Sequence, residues 1–282
     1  MHQWTVITVT YNSREHLERH WVRPRAQRQF RWIVVDNGST DGTLELAAEI
    51  ADELIESGGN VGFSRANNIG LAEVATPYIA FVNPDVRVPD SGWQQPLADA
   101  IDASQGVVAP QLLNPDGSVQ FNARGLPFFT AKVRNRLAPS SIAGAHYARG
   151  GFKAQTFCAW VMGAAVCSRT DTIRRVGGWH EGYFLYYEDH ELGLRCWRNG
   201  VPVSLVPEVK WTHDWQRATS KLNLRAWKAE FASMRRFYTD HPVFVFGNGG
   251  SKRAVARVNS ADYGEMPSRL WQAVSWSEGL AT

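Results

Sequence analysis

The feature that most constrains the fold is an alternation of strand-like and helix-like segments through the first hundred residues. The strand-like segments are rich in Val, Ile and Thr, and polar residues that can cap a helix precede the helix-like segments. The predicted strands are residues 4–10, 31–36, 54–57 and 78–82, and the predicted helices between them span about 14–22, 42–53 and 64–74. This order is typical of a mostly parallel sheet with helices on both faces. The chain is therefore predicted to be an α/β protein with a Rossmann-like sheet.

The second half of the chain is less regular. An Asn-Pro-Asp-Gly turn at 114–117 lies in a stretch, about 111–156, that is predicted to form a hairpin and a loop. An apolar run of eleven residues at 157–167 predicts a buried strand over 160–168, and residues 209–212 are predicted to form an edge strand. Further helices are predicted at 169–176, 188–198 and 220–239, with one more helical segment near 266–276.

These elements predict a mixed, mostly parallel central sheet with a C-terminal helical extension. The expected organisation is one domain over residues 1–240 and a tail over 241–282 that follows a Gly-rich linker. Within the domain, residues of about 1–110 are expected to bind a nucleotide and those of about 111–240 an acceptor.

Composition excludes several classes of protein. The chain is 44% hydrophobic and 20% charged, and its 30 Lys and Arg nearly balance 27 Asp and Glu, so neither a disordered polymer nor a nucleic-acid binder is expected. The three cysteines form no CxxC pair, which excludes a disulfide framework. The longest apolar run is shorter than the roughly 20 residues of a spanning helix. No basic and apolar leader opens the chain, so a cytoplasmic protein is expected.

Polar clusters follow three of the predicted strands. In open α/β sheets the ligand lies beyond the carboxyl ends of the strands, so the clusters are expected to share one site. Asp36 can accept a hydrogen bond from a pyrimidine base, although the residues after it also suit an ordinary turn and helix cap. Asp85, in Asn83-Pro84-Asp85, can hold a divalent cation, although the same triplet also occurs in the turn at 114–117.

Two further positions bear on chemistry. Glu188 and Asp189 follow an aromatic run, and a partly buried carboxylate there can act as a general base; the alternative is that both acids merely complement a helix dipole. His213 follows a predicted strand and could be a cation ligand opposite Asp85, or a purely structural histidine. Arg65 begins a predicted helix and could meet phosphate, or could be a surface arginine.

Taken together and in order, the motifs resemble the inverting family 2 glycosyltransferases of GT-A fold, particularly the rhamnosyltransferase-like members. The resemblance covers about residues 4–240. It rests on the segments TVTYNS, IVVDNGSTDGT, GNVGFSRANNIG, FVNPDV, VMGAAVCSR, VGGWHEGYFLYYEDHELGLRCWRNG and the Thr-His-Asp around position 213.

The resemblance implies a role for each matching position. The implied nucleotide contacts are Thr10, Tyr11, Asn12, Asp36, Arg65, Asn67 and Asn83. Asp85 and His213 would hold Mg²⁺ or Mn²⁺ at the diphosphate, Asp189 would be the catalytic base, and Gly163, Ala164 and Glu188 would lie near the donor and acceptor sugars. At Asn83 the family more commonly has Asp, and the amide lacks that charge, which weakens the implication of a metal.

The implied activity is metal-dependent, inverting transfer of one sugar from a nucleotide-sugar to a saccharide or lipid-linked saccharide in cell-envelope polysaccharide assembly. dTDP-rhamnose is the first choice of donor. The alternatives are a UDP-hexose or UDP-galactofuranose transferase of the same fold, or a non-catalytic protein that binds sugar-nucleotides or glycans.

A basic excess suggests one further partner. Residues 201–260 hold ten Lys or Arg against four Asp or Glu. Anionic lipid could bind such a surface, so a peripheral contact at the cytoplasmic face of a membrane is expected; the alternative is a solvated basic face. The basic residues on or near the last helix are Arg217, Lys221, Arg225, Lys228, Arg235 and Arg236, and the loop expected to join them contains Phe128, Phe129, Lys132, Arg134 and Arg136.

Overall fold

Parallel strands form the first half of the central sheet in this computed structural model, which describes residues 3–22, 27–130, 132–133, 148–214 and 224–246. The strands are β1 (Trp4–Thr10), β2 (Arg31–Asp36), β3 (Glu53–Glu56) and β4 (Tyr78–Val82), in the spatial order β3-β2-β1-β4. The helices between them are α1 (Arg14–His20), α2 (Thr43–Ile50) and α3 (Phe63–Ala72). The predicted alternation is therefore confirmed, with end positions that differ by a few residues.

The second half extends the sheet with strands of both directions. Its strands are β5 (Val86–Arg87), β6 (Val107–Leu113), β7 (Ala123–Arg124), β8 (Ala148–Arg149), β9 (Thr156–Phe157), β10 (Trp160–Val161), β11 (Ala165–Arg169) and β12 (Val203–His213). The order continues β4-β11-β6-β12-β5, with β9 also paired to β12, while β10, β7 and β8 form a small second sheet. Because β11 is antiparallel to both β4 and β6, the sheet is mixed, and most of its paired residues lie in parallel pairs.

The remaining helices lie between and after these strands. They are α4 (Gln94–Ser104), α5 (Thr170–Arg175), α6 (Glu188–Arg198), α7 (Leu224–Asp240) and α8 (Val243–Phe246). None of the described helices is long and apolar enough to cross a lipid bilayer. The expected helical segment near 266–276 and the linker before it lie outside the described residues.

Two sequence-based expectations were wrong. The apolar run 157–167 is not one strand but parts of β9, β10 and β11, which pair with different partners. An apolar run indicates burial but does not specify where the buried chain turns. The three parts of this run therefore pair with different strands. Residues 209–212 are not an edge strand either, because they belong to β12, which lies between β6 and β5. Helix α4 and strand β6 were not predicted.

Alternate residues of the strands enter two different cores. On β2, Trp32 and Val34 belong to the core covered by α1, α2 and α4, whereas Ile33 and Val35 belong to the core covered by α3, α5 and α6. All four side chains are fully buried. A strand buried on both faces must be apolar throughout, because successive side chains point to opposite faces. The sheet is therefore a rigid central layer whose carboxyl edge is available for a site.

Helix α6 crosses strand β10 at Gly193. A Cβ at this position would lie 2.4 Å from the Cβ of Trp160 and 2.7 Å from the carbonyl oxygen of Ala159. The absence of a side chain thus allows the helix to approach the strand closely. The approach matters because α6 begins with Glu188 and Asp189.

We expect Gly193→Ala to lower the free energy of unfolding by about 1–3 kcal/mol, because the added methyl group must push the helix from the strand. This cost exceeds the gain of about 1 kcal/mol that alanine brings to a helix interior. Thermal unfolding measures the difference. Gly163→Ala is the control, since its added Cβ would meet no atom closer than 3.6 Å. Equal melting temperatures for the wild type and Gly193→Ala would contradict the close approach.

Candidate active site

A fixed carboxylate lies where β1 and β2 end. Asp36 accepts the hydroxyl of Thr10 at Oδ1 (3.0 Å) and the backbone N–H groups of Gly38 and Ser39 at Oδ2 (3.1 and 2.9 Å). Asp36 is 3% exposed, whereas the neighbouring ring of Tyr11 is 45% exposed. The edge of the sheet therefore presents an oriented acid beside an accessible aromatic ring, which is a suitable surface for a base and a ribose.

Asn12 shapes the loop at this edge. It has a left-handed φ of 51°, which asparagine tolerates better than most residues. Its side-chain oxygen accepts the backbone N–H of Thr40 (2.8 Å), and its own N–H donates to Ser39 Oγ (2.9 Å). These bonds tie the end of β1 to the loop after β2.

A second pair of loops meets through asparagines that the sequence analysis missed. Asn37 donates to Asn60 Oδ1 (3.1 Å) and accepts the backbone N–H of Val61 (2.8 Å). Gly38, at φ 84°, lies so near that a Cβ would be 3.0 Å from the Cα of Gly59. Only Gly-rich turns permit this approach of two backbones.

Arg65 and Asn67 lie on α3, which follows these loops. Arg65 is exposed in the first turn, where it can reach a ligand at the sheet edge. Asn67 is 2% exposed and its amide donates to the carbonyl oxygen of Phe63 (3.0 Å), one turn earlier. The side chain of Arg65 therefore faces solvent, whereas that of Asn67 is hydrogen-bonded within its own helix.

Asp85 and His213 face each other beyond the end of β4. The distance from Asp85 Oδ1 to His213 Nε2 is 3.5 Å. His213 Nδ1 is 2.6 Å from Oε1 of Gln120, whose amide nitrogen donates to Asn114 Oδ1 (2.8 Å). This bond turns the oxygen of Gln120 toward the imidazole, where it can accept the Nδ1–H of His213, and Nε2 is the ring nitrogen that faces Asp85.

This arrangement fits a divalent cation. Asp85 Oδ1 is buried and has no hydrogen-bond partner among the described residues. A carboxylate oxygen and an imidazole nitrogen are both ligands for Mn²⁺, and the bond to Gln120 is the kind that orients a metal-binding histidine. The described residues contain no group of three or more His, Cys, Asp or Glu side chains suited to a metal.

Asp189 lies near the start of α6, and its two carboxylate oxygens differ in their hydrogen bonds. Oδ1 accepts the ring Nδ1–H of His190 (2.6 Å) and the backbone N–H of the same residue (2.9 Å), while in the described part of the chain Oδ2 accepts only the backbone N–H of Gly163 (3.3 Å). Burial alone would raise the pKa of Asp189, but His190 and the Gly163 N–H outweigh it and hold the pKa below its usual range. Asp189 is therefore ionised at neutral pH, as a general base must be.

The pKa of Glu188 is shifted in the opposite direction. Glu188 is 6% exposed, and burial together with the negative charge of Asp189 raises its pKa well above the usual range. Its Oε2 has no hydrogen-bond partner among the described residues. The environments of the two adjacent carboxyl groups thus push their pKa values apart, a pattern typical of catalytic pairs.

The turn before this pair is strained. Tyr186 and Tyr187 both have left-handed backbones, with φ of 67° and 68°. Hydrogen bonds from outside the turn hold it in place. The N–H of Phe63 donates to the carbonyl oxygen of Phe184 (2.7 Å), and the hydroxyl of Ser233 donates to the carbonyl oxygen of Leu185 (2.8 Å). Strain of this kind is found where a site requires a particular backbone.

Gly163 and Ala164 connect Asp189 to the end of β4. Gly163 donates its N–H to Asp189, and the carbonyl oxygen of Ala164 accepts the N–H of Asn83 at 3.0 Å. Asn83 in turn begins the turn that contains Asp85. Asp189 and the candidate cation ligands therefore flank one two-residue link, on the same edge of the sheet as Asp36.

The family comparison agrees with this geometry. Residues 5–160, more than half of the 282-residue chain, match the family described as Glycosyl transferase family 2. The chain belongs to glycosyl transferase family 2. A second match, to Glycosyl transferase family group 2, covers residues 128–246.

Characterised relatives include two rhamnosyltransferases. The family 2 chain is 27% identical over 256 residues to N-acetylglucosaminyl-diphospho-decaprenol L-rhamnosyltransferase of Mycobacterium tuberculosis, covering 77% of each chain. It is 23% identical over 219 residues to rhamnosyltransferase WbbL of Escherichia coli K12, covering 74% of this chain and 82% of the relative.

Solved structures confirm the GT-A fold. S. aureus TarS 1-349 in complex with UDP-GlcNAc has a TM-score of 0.57 at 16% identity, covering 90% of this chain and 70% of that one. The mannosyltransferase PcManGT from Pyrobaculum calidifontis, in complex with GDP-Man and Mn²⁺, has a TM-score of 0.52 at 16% identity, covering 98% and 71%. The predicted family and fold class are thus confirmed.

The raised pKa of Glu188 predicts a pH-dependent stability. Below the ordinary glutamate pKa of 4.5 the side chain is neutral in both the folded and the unfolded chain. As the pH rises, the unfolded chain ionises first, so the wild type loses stability until the pH passes the raised pKa of the folded state. Glu188→Gln does not ionise, so we expect its melting temperature to exceed that of the wild type increasingly as the pH rises from 4.5.

The matched control is Glu208→Gln, at an exposed position on β12. Its melting temperature is expected to follow that of the wild type across the same pH series. A constant difference in melting temperature between Glu188→Gln and the wild type at all pH values would contradict the raised pKa of Glu188.

Proposed function

We propose that the protein is an inverting glycosyltransferase that moves one rhamnose from dTDP-rhamnose to a hydroxyl of a saccharide or lipid-linked saccharide in cell-envelope polysaccharide assembly. One observation carries the proposal: the ionised carboxylate of Asp189 keeps Oδ2 open and is joined through Gly163 and Ala164 to the turn containing Asp85. The rhamnosyltransferase relatives support the choice of donor.

Asp189 would act as the general base. A sugar hydroxyl has a high pKa, so its proton must leave as its oxygen attacks the anomeric carbon. The proton passes from the hydroxyl to Oδ2 of Asp189, the new glycosidic bond forms on the face opposite the nucleotide, and the bond to the diphosphate breaks. Configuration inverts in this single step. The raised pKa of Glu188 favours its protonated form, which can donate a hydrogen bond to a sugar oxygen.

The rest of the edge would bind the donor. Asp36, Thr10 and Tyr11 suit the base and ribose, and Arg65 is an exposed cation for phosphate. Asp85 and His213 would hold Mg²⁺ or Mn²⁺. A cation bound there supplies positive charge that stabilises the leaving diphosphate.

The alternatives differ in donor or in catalysis. The solved structures of similar fold carry UDP-GlcNAc in one case and GDP-Man in another, so a UDP-hexose or UDP-galactofuranose donor is compatible with the fold. A non-catalytic sugar-nucleotide or glycan-binding protein would have no use for two adjacent carboxyl groups whose pKa values are shifted apart. The opposite pKa shifts of Asp189 and Glu188 therefore favour the enzyme.

Calorimetric titration with dTDP and UDP, each with and without Mg²⁺ or Mn²⁺, tests the proposed site. We expect dTDP to bind more tightly with the cation, and Asp85→Ala to lose that gain because it removes a ligand of the cation. Asp189→Asn is expected to bind donor as the wild type does and to lower transfer of radiolabelled rhamnose by at least about a hundredfold.

The outcomes separate the candidates. Binding of UDP alone would replace dTDP-rhamnose by a UDP-sugar donor. Full transfer by Asp189→Asn would reject Asp189 as the base, and nucleotide binding without any transfer by the wild type would favour the non-catalytic protein.

A basic cleft beside the site is a candidate for the acceptor. It has a volume of about 790 Å³ and lies between α7 and the turn after α5; its lining includes Gly182, Phe184, Lys228, Arg235, Arg236 and Asp240. The lining contains three basic side chains and one acidic side chain, so its net positive charge favours an anionic ligand. Phe184 is 47% exposed and also bonds Phe63 at the start of α3, so the cleft adjoins the proposed donor site.

We propose that this cleft takes the diphosphate of a lipid-linked acceptor, at the cytoplasmic face of a membrane. One relative is named for a diphospho-decaprenol acceptor, which supports that choice. The expected basic surface also contained Arg217, Lys221, Arg134 and Arg136, which lie outside the described residues, as does the side chain of Arg225. Phe129 and Lys132 belong to the neighbouring described segment.

Charge reversal tests the cleft. The double variant Lys228→Glu, Arg235→Glu is expected to raise KM for a lipid-diphosphate acceptor on the order of tenfold, because the cleft then repels the diphosphate. The affinity for dTDP should not change. Arg175→Glu, at an exposed position of α5 outside the cleft, is the control.

Two further measurements separate acceptor binding from membrane binding. A soluble acceptor without phosphate should be used equally by the wild type and the double variant. The second measurement is flotation with anionic vesicles. If the double variant floats less than the wild type while its KM for detergent-dispersed acceptor is unchanged, the cleft binds membrane and not the acceptor diphosphate.

A further inference from the structure

The residue after the proposed base is a histidine enclosed by aromatic rings. His190 is 6% exposed. Its ring stacks on Trp160 with a centroid distance of 3.6 Å and on Tyr187 with one of 4.8 Å, and both interplanar angles are 25°. The two rings therefore fix the plane of the imidazole, so its nitrogens can point in only two directions.

Both nitrogens have polar partners. Nδ1 is 2.6 Å from Oδ1 of Asp189, and Nε2 is 3.1 Å from Nζ of Lys132. An ammonium group only donates hydrogen bonds and a carboxylate only accepts them. Burial, together with the charge of Lys132, lowers the pKa of His190 to about 4, so the ring is neutral at pH 7. A neutral ring between these two partners must carry its proton on Nδ1.

The donor and the acceptor of both hydrogen bonds, Lys132–His190 and His190–Asp189, are therefore determined. Lys132 donates to Nε2 of His190, and Nδ1–H of His190 donates to Oδ1 of Asp189. Lys132 is itself held over the ring of Tyr187, with Nζ 3.6 Å from the ring centroid. We call these two residues, Lys132 and His190, the relay.

We propose that the relay selects Oδ2 of Asp189 as the atom that takes the proton of the acceptor hydroxyl. Oδ1 already accepts two hydrogen bonds from His190, which occupy both of its lone pairs, whereas Oδ2 accepts only the longer bond from Gly163 among the described residues. The relay keeps its own protons throughout the reaction. Lys132 and His190 are thus positioning residues, and the inference rests on the proposed function of Asp189.

Other charged and titratable groups surround the relay. Arg124 of β7 lowers the pKa of His190 together with Lys132, and Glu188 faces Asp189 from the same helix. From α7, Tyr238 and Glu230 act on Tyr187. The variants below leave these groups in place, so a change in the pH profile reports on the relay.

Two substitutions of His190 separate its two nitrogens. His190→Asn places an amide nitrogen near the position of Nδ1 and keeps a donor for Asp189. His190→Gln places its amide near the position of Nε2 and keeps a partner for Lys132 but not for Asp189. Both remove the stacked ring, so they form a matched pair in size, polarity and lost packing.

We expect kcat for transfer to fall roughly ten- to a hundredfold in His190→Gln and much less in His190→Asn. The donation to Oδ1 lowers the pKa of Asp189, so its loss should move the acid limb of the kcat profile upward by about one pH unit. In His190→Asn, which keeps a donor for Oδ1, the acid limb should stay at the wild-type pH. Calorimetric affinity for dTDP should be unchanged in both variants.

Lys132→Met tests the tautomer without an activity assay. In the wild type, the ring ¹⁵N shifts of His190 should report protonation at Nδ1. Without the ammonium donor, the proton is free to move to Nε2, so the shifts should report a mixture of tautomers and kcat should fall with that population.

The outcomes distinguish the relay from the proposed function. Equal kcat and equal acid limbs in His190→Asn and His190→Gln would overturn the relay, as would an Nε2-protonated ring in the wild type. Full transfer by Asp189→Asn would instead overturn Asp189 as the base, whatever the His190 variants show.

Discussion

The site depends on one reversal of strand direction. β4 runs parallel to β1, whereas β11 lies against β4 and runs the opposite way. Because an antiparallel strand begins beside the end of its neighbour, the residues that precede β11 lie at the carboxyl end of β4. Those residues, Gly163 and Ala164, contact Asp189 on one side and Asn83 on the other. A single pairing thus joins the proposed base to the proposed cation ligands.

Unequal hydrogen bonding then shifts the pKa values of two adjacent acids in opposite directions. Burial disfavours the charged form of both Glu188 and Asp189. Asp189 accepts three hydrogen bonds and its pKa is lowered, whereas the buried Oε2 of Glu188 has no hydrogen-bond partner in the part of the chain that the structure describes. The charge of Asp189 raises the pKa of Glu188 further. A low-dielectric setting with few donors therefore separates the pKa values of two similar carboxyl groups.

Much of the first half could be predicted, because its signals are local. The alternation of β-branched and helix-forming runs indicated strands 1, 2 and 4 and placed Thr10, Asp36 and Asn83 at one edge of the sheet. The apolar run at 157–167 was misinterpreted because its hydrophobicity showed burial and not the partner of each part. No periodicity indicated α4, β6 or the bonds between Asn37 and the loop before α3.

The sequence by itself determined the order of the elements, the residue types at the strand ends and the acid pair that begins α6. Tertiary structure alone decided which distant side chains complete the site. Lys132 meets His190 from 58 residues away, and Gln120 meets His213 from 93 residues away. Such contacts depend on how strands pair and helices pack, and local sequence patterns carry no record of either. The pKa shifts of Asp189, Glu188 and His190 follow from those contacts and from burial, and therefore belong to the folded chain.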